Sequence, residues 1–124
     1  MIVIHAVAAA AAILVGGVVL LRRKGSSSHR LLGRLYVACA AVMVWSSFAI
    51  YELRDGPSIF HAVSVLLTGV IAVGVVQPRW RRRTATRRYW HAVWMPTSLL
   101  MIVVTGVAQF FDRLPLSSDA ANAV

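Results

Sequence analysis

Apolar residues run almost unbroken through four stretches of this chain, and polar residues gather in the gaps between them. The stretches cover residues 2–21, about 35–53, 59–77 and 93–111. Each is about 19 or 20 residues long, which as α-helix is roughly 30 Å, the thickness of a bilayer's hydrocarbon core. Within them Glu52 is the single acidic or basic residue, and it stands at the end of the second stretch. A buried helix of a soluble domain rarely stays apolar on every side for that length. The pattern predicts an all-α integral membrane domain over residues 1–112. Polar residues 113–124 follow as a tail expected to be disordered.

The gaps are short. Gly56 and Pro57 supply a tight turn between Arg54 and Ser58, and Gly25 with Ser26, Ser27 and Ser28 reads as a flexible loop. Short connections favour antiparallel neighbours, hence an up-down-up-down four-helix bundle.

Composition agrees with lipid as the solvent. The chain has 124 residues, enough for one domain, and only 14% of them are charged, against about 25% in a typical soluble domain. Its net charge of +9 is concentrated. Arg22, Arg23, Lys24, Arg30 and Arg34 follow the first stretch. Arg79, Arg81, Arg82, Arg83, Arg87 and Arg88 follow the third. Arg54 and Arg113, with the acids Glu52, Asp55, Asp112 and Asp119, lie toward the opposite ends. Basic residues confined to alternate loops mark topology rather than nucleic-acid binding. They predict both basic loops in the cytoplasm and both termini outside, in a prokaryotic inner membrane. The first stretch lacks a charged leader and is followed by its positive residues, so it reads as an uncleaved anchor. Cys39, the sole cysteine, excludes an intrachain disulfide and reads as a small apolar side chain.

The two halves share an order of features. Ile4-His5-Ala6-Val7 opens one and Phe60-His61-Ala62-Val63 the other. Each continues with a glycine-containing apolar run, a basic loop, a histidine (His29 or His91) and a second apolar run. This reads as a duplicated helical hairpin.

The four histidines therefore fall into two layers. His5 and His61 lie near the outer ends of the first and third helices, and His29 and His91 at the inner ends of the second and fourth. In an up-down bundle each pair is diagonal across the core. Two imidazoles facing each other there are what six-coordinate haem iron takes as axial ligands. Histidine at a helix end also sits comfortably at a membrane interface with no ligand at all.

On helical spacing His5 shares a face with Ala9, Ala12 and Gly16, and His61 with Ser64, Val65, Thr68 and Ala72. His29 shares one with Gly33, Tyr36 and Ala40, and His91 with the bulkier Trp94, Met95, Ser98 and Ile102. Small residues leave room for a flat macrocycle, and equally for close helix packing. Pro96 is placed to bend the fourth helix. Arg30, Arg34, Arg87 and Arg88 are candidates to neutralise haem propionates, beside their ordinary topological role. Glu52 and Asp55 are acids able to approach the outer layer. Zinc or copper on two imidazoles would lack further ligands. Ser46, Ser47, Ser64, Thr68, Thr97, Ser98, Thr105 and Gln109 read as bonding between helices or to backbone carbonyls. Trp80, Tyr89, Trp90 and Trp94 form an aromatic belt at the inner boundary, and Trp45 lies within the second helix.

The stretch His29-Arg30-Leu31-Leu32-Gly33-Arg34-Leu35-Tyr36-Val37 resembles a His-Arg-x-x-Gly-Arg-x-Tyr motif. That motif belongs to an uncharacterised family of small predicted prokaryotic membrane proteins, a domain of unknown function. Its members carry a histidine in the first span and a later His with a Trp-Met pair, comparable to His91, Trp94 and Met95. Those three are spaced more widely here. The resemblance covers about residues 1–110 and implies a membrane bundle without an assigned activity. Diheme transmembrane cytochromes of the b type are similar in architecture only.

The functional expectation is a non-catalytic electron-transfer protein holding haem b, with His5 and His61 on an outer haem and His29 and His91 on an inner one. The alternative is a cofactor-free structural or accessory subunit of a larger membrane complex. A small transporter would need a polar cavity near the midplane, which the spans hardly offer. No catalytic triad or phosphate-binding loop gives ground for an enzyme. The partners expected are the lipid bilayer and other membrane subunits or redox proteins, with no nucleic acid; the oligomeric state is open.

Overall fold

The structure is a computed structural model, and it describes residues 1–51, 59–80 and 85–112. The turn expected between Arg54 and Ser58, the acids Glu52 and Asp55, Arg81 to Arg83 and the tail 113–124 lie outside the described residues. So do the side chains of Arg79 and Trp80.

Four helices make up the fold: α1 (Ile2–Leu21), α2 (Ser27–Tyr51), α3 (Ile59–Trp80) and α4 (Ala85–Asp112). All four are long and apolar enough to cross a membrane, so this is a multi-pass membrane protein. Alanine, the strongest helix former, fills α1 from Ala8 to Ala12. The helix ends where Arg22 turns to extended backbone (φ −85°, ψ 147°). Gly25 then takes φ +86°, a left-handed value that glycine adopts without a Cβ clash. Ser26 caps α2: its hydroxyl donates to the Arg23 carbonyl (2.8 Å) and accepts the His29 N–H (3.1 Å). The stretch expected as a flexible loop is thus a built turn, and Ser27 and Ser28 are already helical. In α4 the helix runs continuously through Pro96. Near that missing donor, Thr97 donates to the Val93 carbonyl (2.6 Å) and Ser98 to the Met95 carbonyl (2.7 Å).

The helices pack around a ring in chain order. The hairpins α1–α2 and α3–α4 hold the dense packing, and the α1–α4 and α2–α3 seams between them are looser. That leaves α1 diagonal to α3 and α2 diagonal to α4. The core joins Ala8, Ala12, Tyr36, Ala40, Met43, Leu67, Ile71 and Ile102. Its small members let α1 and α2 approach closely, as packing in lipid requires. Large apolar side chains such as Leu14, Trp45, Leu66 and Leu100 point outward, where a membrane protein meets lipid tails.

Burial also sets the register. On α2 and α4 two buried pairs correspond, Tyr36 with Ser98 and Ala40 with Ile102, each sixty-two apart like His29 and His91; Met43 and Ser46 of α2 have no buried counterpart on α4. On α3 the buried residues are Leu67, Val70, Ile71 and Gly74. Val65, Thr68 and Ala72, expected to share the His61 face, are exposed. The core face of α3 is rotated from that expectation, toward the larger side chains that fill the bundle.

Candidate functional site

One end of the bundle carries Arg22, Arg23, Lys24, Arg30, Arg34, Arg87 and Arg88, and is called the basic end here; the other is the far end. At the far end lies a half-open cavity of about 340 Å³ that all four helices line. His5 of α1 and His61 of α3 both line it. Ala6, Ala9 and Gly106 give it small-residue walls, Leu67 and Ile102 an apolar floor. Ser47, Ser64, Thr105 and Gln109 add polar groups. Its size is at the lower end of the range for small-molecule sites.

His5 is held from behind. Its Nδ1 lies 2.9 Å from the Met43 carbonyl oxygen and 3.1 Å from Ser46 Oγ, both on α2. A carbonyl only accepts, so Nδ1 carries the proton. The Ser46 hydroxyl gives its own hydrogen to the same Met43 carbonyl (2.8 Å), leaving its lone pairs toward His5. That bond leaves Nε2 as the lone-pair nitrogen of the neutral ring, the arrangement found behind metal-bound histidines.

His61 sits slightly farther out. Ser47 on α2 donates to Ser64 Oγ of α3 across 3.1 Å, while its neighbour Ser46 meets His5. His5 is thus level with Ser64, three positions along α3 from His61, or about 4.5 Å of helix. The His61 ring approaches Phe48, with centroids 6.3 Å apart.

At the basic end His91 repeats the pattern of His5. Its Nδ1 donates to the Gly74 carbonyl of α3 (2.9 Å). His29 does not: its Nδ1 is buried and has no hydrogen-bond partner. The far-end cavity takes in neither of them. Their heights agree, since His29 lies seven positions before Tyr36 and His91 seven before Ser98, and those two residues touch (Tyr36 Oη to Ser98 Oγ, 2.8 Å). Arg30, Arg34 and Arg88 are exposed and Arg87 half-buried. Trp90 stacks on Trp94 at the same end (6.3 Å) and meets Tyr89 edge-on (5.5 Å).

Three groups were not singled out as site residues from the sequence: the Met43 and Gly74 carbonyls and the Tyr36–Ser98 pair. Carbonyls carry no sequence signal. The pair does, because both residues stand seven places after a histidine in matching helices.

Among the described residues no three His, Cys, Asp or Glu side chains gather to hold a metal ion. Two imidazoles suit an iron that brings its own equatorial nitrogens better than a bare zinc ion, which takes three or four protein ligands. Comparison of the chain with family profiles, with curated proteins and with solved structures returns no match.

Proposed function

We propose that this chain is a haem-binding electron-transfer protein of a prokaryotic inner membrane. The observation that carries the proposal is the far-end cavity: two histidines on diagonal helices line one space to which all four helices contribute. His5 and His61 would hold an outer haem b, with Ala6, Ala9 and Gly106 leaving room for the flat ring. The looser α1–α4 and α2–α3 seams are where the bundle widens to admit it. His29 and His91 would hold an inner haem.

Bound haem supplies one-electron redox chemistry. The chain's own part is to fix the ligand geometry and to exclude water. Met43 and Ser46 orient His5, and the Gly74 carbonyl orients His91. The positive-inside rule supports a cytoplasmic basic end and an external far end, with both termini outside. Redox partners on the two sides, or neighbouring membrane subunits, would supply and remove electrons.

The test is optical. The full chain is purified in mild detergent from cells supplied with haem, and its reduced-minus-oxidised spectrum is recorded. Soret and alpha bands are expected, and His5→Ala or His61→Ala removes the outer component. A colourless protein sinks the proposal. If that colourless protein also co-purifies with membrane partners and tolerates both alanine substitutions, the cofactor-free accessory subunit takes its place.

A further inference from the structure

The outward side of α2 carries one unbroken line of exposed residues. Arg30, Arg34, Ala38, Ala41 and Trp45 follow one another at steps of four, four, three and four, the spacing of a single helix face. All of them are exposed, Trp45 to 78%. The buried Tyr36, Ala40 and Met43 lie on the opposite side of the helix. The far-end cavity takes Met43, Ser47 and Ile50 from α2 and nothing from this line.

The two ends of the line differ in chemistry. Arg30 and Arg34 stand one turn apart, so both guanidiniums can reach the same phosphate. Neither side chain has an ion pair or hydrogen bond among the described residues. The acids Glu52, Asp55, Asp112 and Asp119 belong by sequence to the opposite ends of the helices. Trp45 stands eleven positions beyond Arg34, about 16 Å of helix. That is close to half of a hydrocarbon core of roughly 30 Å. The indole therefore lies near the depth where the acyl chains of the two leaflets meet, whereas tryptophan ordinarily gathers at the interface. Between the cations and the indole, Ala38 and Ala41 leave a shallow strip one leaflet deep.

We propose that this line seats one phospholipid with a net negative headgroup. Its phosphate rests on Arg30 and Arg34, an acyl chain lies along Ala38 and Ala41, and the chain end meets Trp45. The length fits, because one leaflet separates the arginines from the indole. The charge fits, because two cations without a partner in the chain favour an anionic headgroup over a zwitterionic one. Each basic residue near an anionic membrane surface is worth about fivefold. A second copy of the chain is the other candidate to cover this face. Two copies inserted the same way and related by a two-fold axis would set Arg30 and Arg34 of one against the same arginines of the other. Like charges there repel. The lipid site goes beyond the haem reading and does not rest on it.

The experiment uses the full chain in phosphatidylcholine bilayers doped with a lipid brominated near the ends of its acyl chains. Bromine quenches tryptophan only at close approach. The Trp45 signal is isolated by subtracting the emission of Trp45→Phe in the same bilayers. Brominated phosphatidylglycerol is expected to half-quench Trp45 at a mole fraction at least about fivefold lower than brominated phosphatidylcholine. Arg30→Gln combined with Arg34→Gln should bring the two lipids together. Arg22→Gln combined with Arg23→Gln removes the same charge from the neighbouring turn and should keep most of the preference. Equal half-quenching fractions for the two lipids in the wild-type chain overturn the inference, whatever the variants do. A preference that survives the exchange of Arg30 and Arg34 overturns it as well. So does an equal loss in the two double variants, which would mean diffuse attraction to the basic end. Quenching by neither lipid would mean that another chain covers Trp45, and the lipid site would fall.

Discussion

His5 on α1 donates its Nδ1 proton to the backbone carbonyl of Met43 on α2, 2.9 Å away, with Ser46 Oγ as a second acceptor at 3.1 Å. The contact fixes which nitrogen faces the cavity, and that is a property of the protein without any cofactor. Nitrogen NMR of the cofactor-free chain is expected to show His5 as the Nδ1–H tautomer. Partners behind a ligating histidine are worth roughly 10–100-fold in affinity. Ser46→Ala leaves the Met43 carbonyl in place, so its loss of haem affinity should fall near tenfold, against complete loss of the outer haem in His5→Ala. Titration of haem into the purified variants reads both. An Nε2–H tautomer for His5 would contradict the arrangement.

Gly16 sits where α1 meets the side chains of Leu99 and Tyr36. A Cβ there would lie 2.7 Å from Leu99 Cδ1 and against the Tyr36 ring, whereas one on Gly17 would meet nothing within 4 Å. The leucine tip can swing aside and the phenol ring cannot, because Ser98 pins it. Gly16→Ala should therefore destabilise the bundle by about 1–3 kcal/mol. Gly17→Ala should be neutral or stabilising by up to about 1 kcal/mol, since it removes a flexible residue from a helix. Unfolding of both variants in mixed detergent micelles gives the comparison, and equal stabilities would contradict the packing described.

Much of this was legible in the sequence because the bilayer leaves few choices. The four helices follow from long apolar runs, and their ring order from short connections and parity. The shared end of His29 and His91 follows from their places at the starts of two helices that run in the same direction. What failed to read was rotation. His61 shares helical spacing with Val65, Thr68 and Ala72, yet α3 buries Leu67, Val70, Ile71 and Gly74. In a helix apolar all round, as α3 is, periodicity does not distinguish the core side from the lipid side. Only packing against Met95 and Trp94 does so. The bonds that orient His5 and His91 were equally hidden, because their acceptors are backbone carbonyls.

The Gly74 contact is softer than that at Gly16. A Cβ there would lie 2.8 Å from Met95 Sδ and 3.4 Å from Trp94 Cβ. The methionine end is flexible and yields. Gly74→Ala should then cost less than Gly16→Ala and leave His91 bonded to its carbonyl. Gly74→Leu should push α4 away and break that bond, lowering stability by about 1–3 kcal/mol as overpacking does. The same micelle unfolding assay ranks the three variants, and a leucine variant as stable as wild type would mean that α3 and α4 are not packed on this face.

The sidedness of the two basic segments is the premise that puts both layers in place, and it can be tested without haem. Ser27 and Thr86 stand exposed in the first turns of α2 and α4, and Ile59 is exposed (75%) at the start of α3. Cys39, the one native thiol, is first replaced by alanine, which suits its half-buried, apolar setting. Single cysteines are then placed at the three positions and exposed to a membrane-impermeant maleimide on intact spheroplasts. Ile59→Cys should react at once, and Ser27→Cys and Thr86→Cys only after permeabilisation. The reasoning is that arginine-rich segments resist translocation, and an even number of spans between them returns the chain to the same side. Reaction of Ser27→Cys and Thr86→Cys from opposite faces would mean that α2 and α3 do not both cross the membrane. His5 and His61 would then no longer share an end of the bundle, and the four-helix cavity between them would not form.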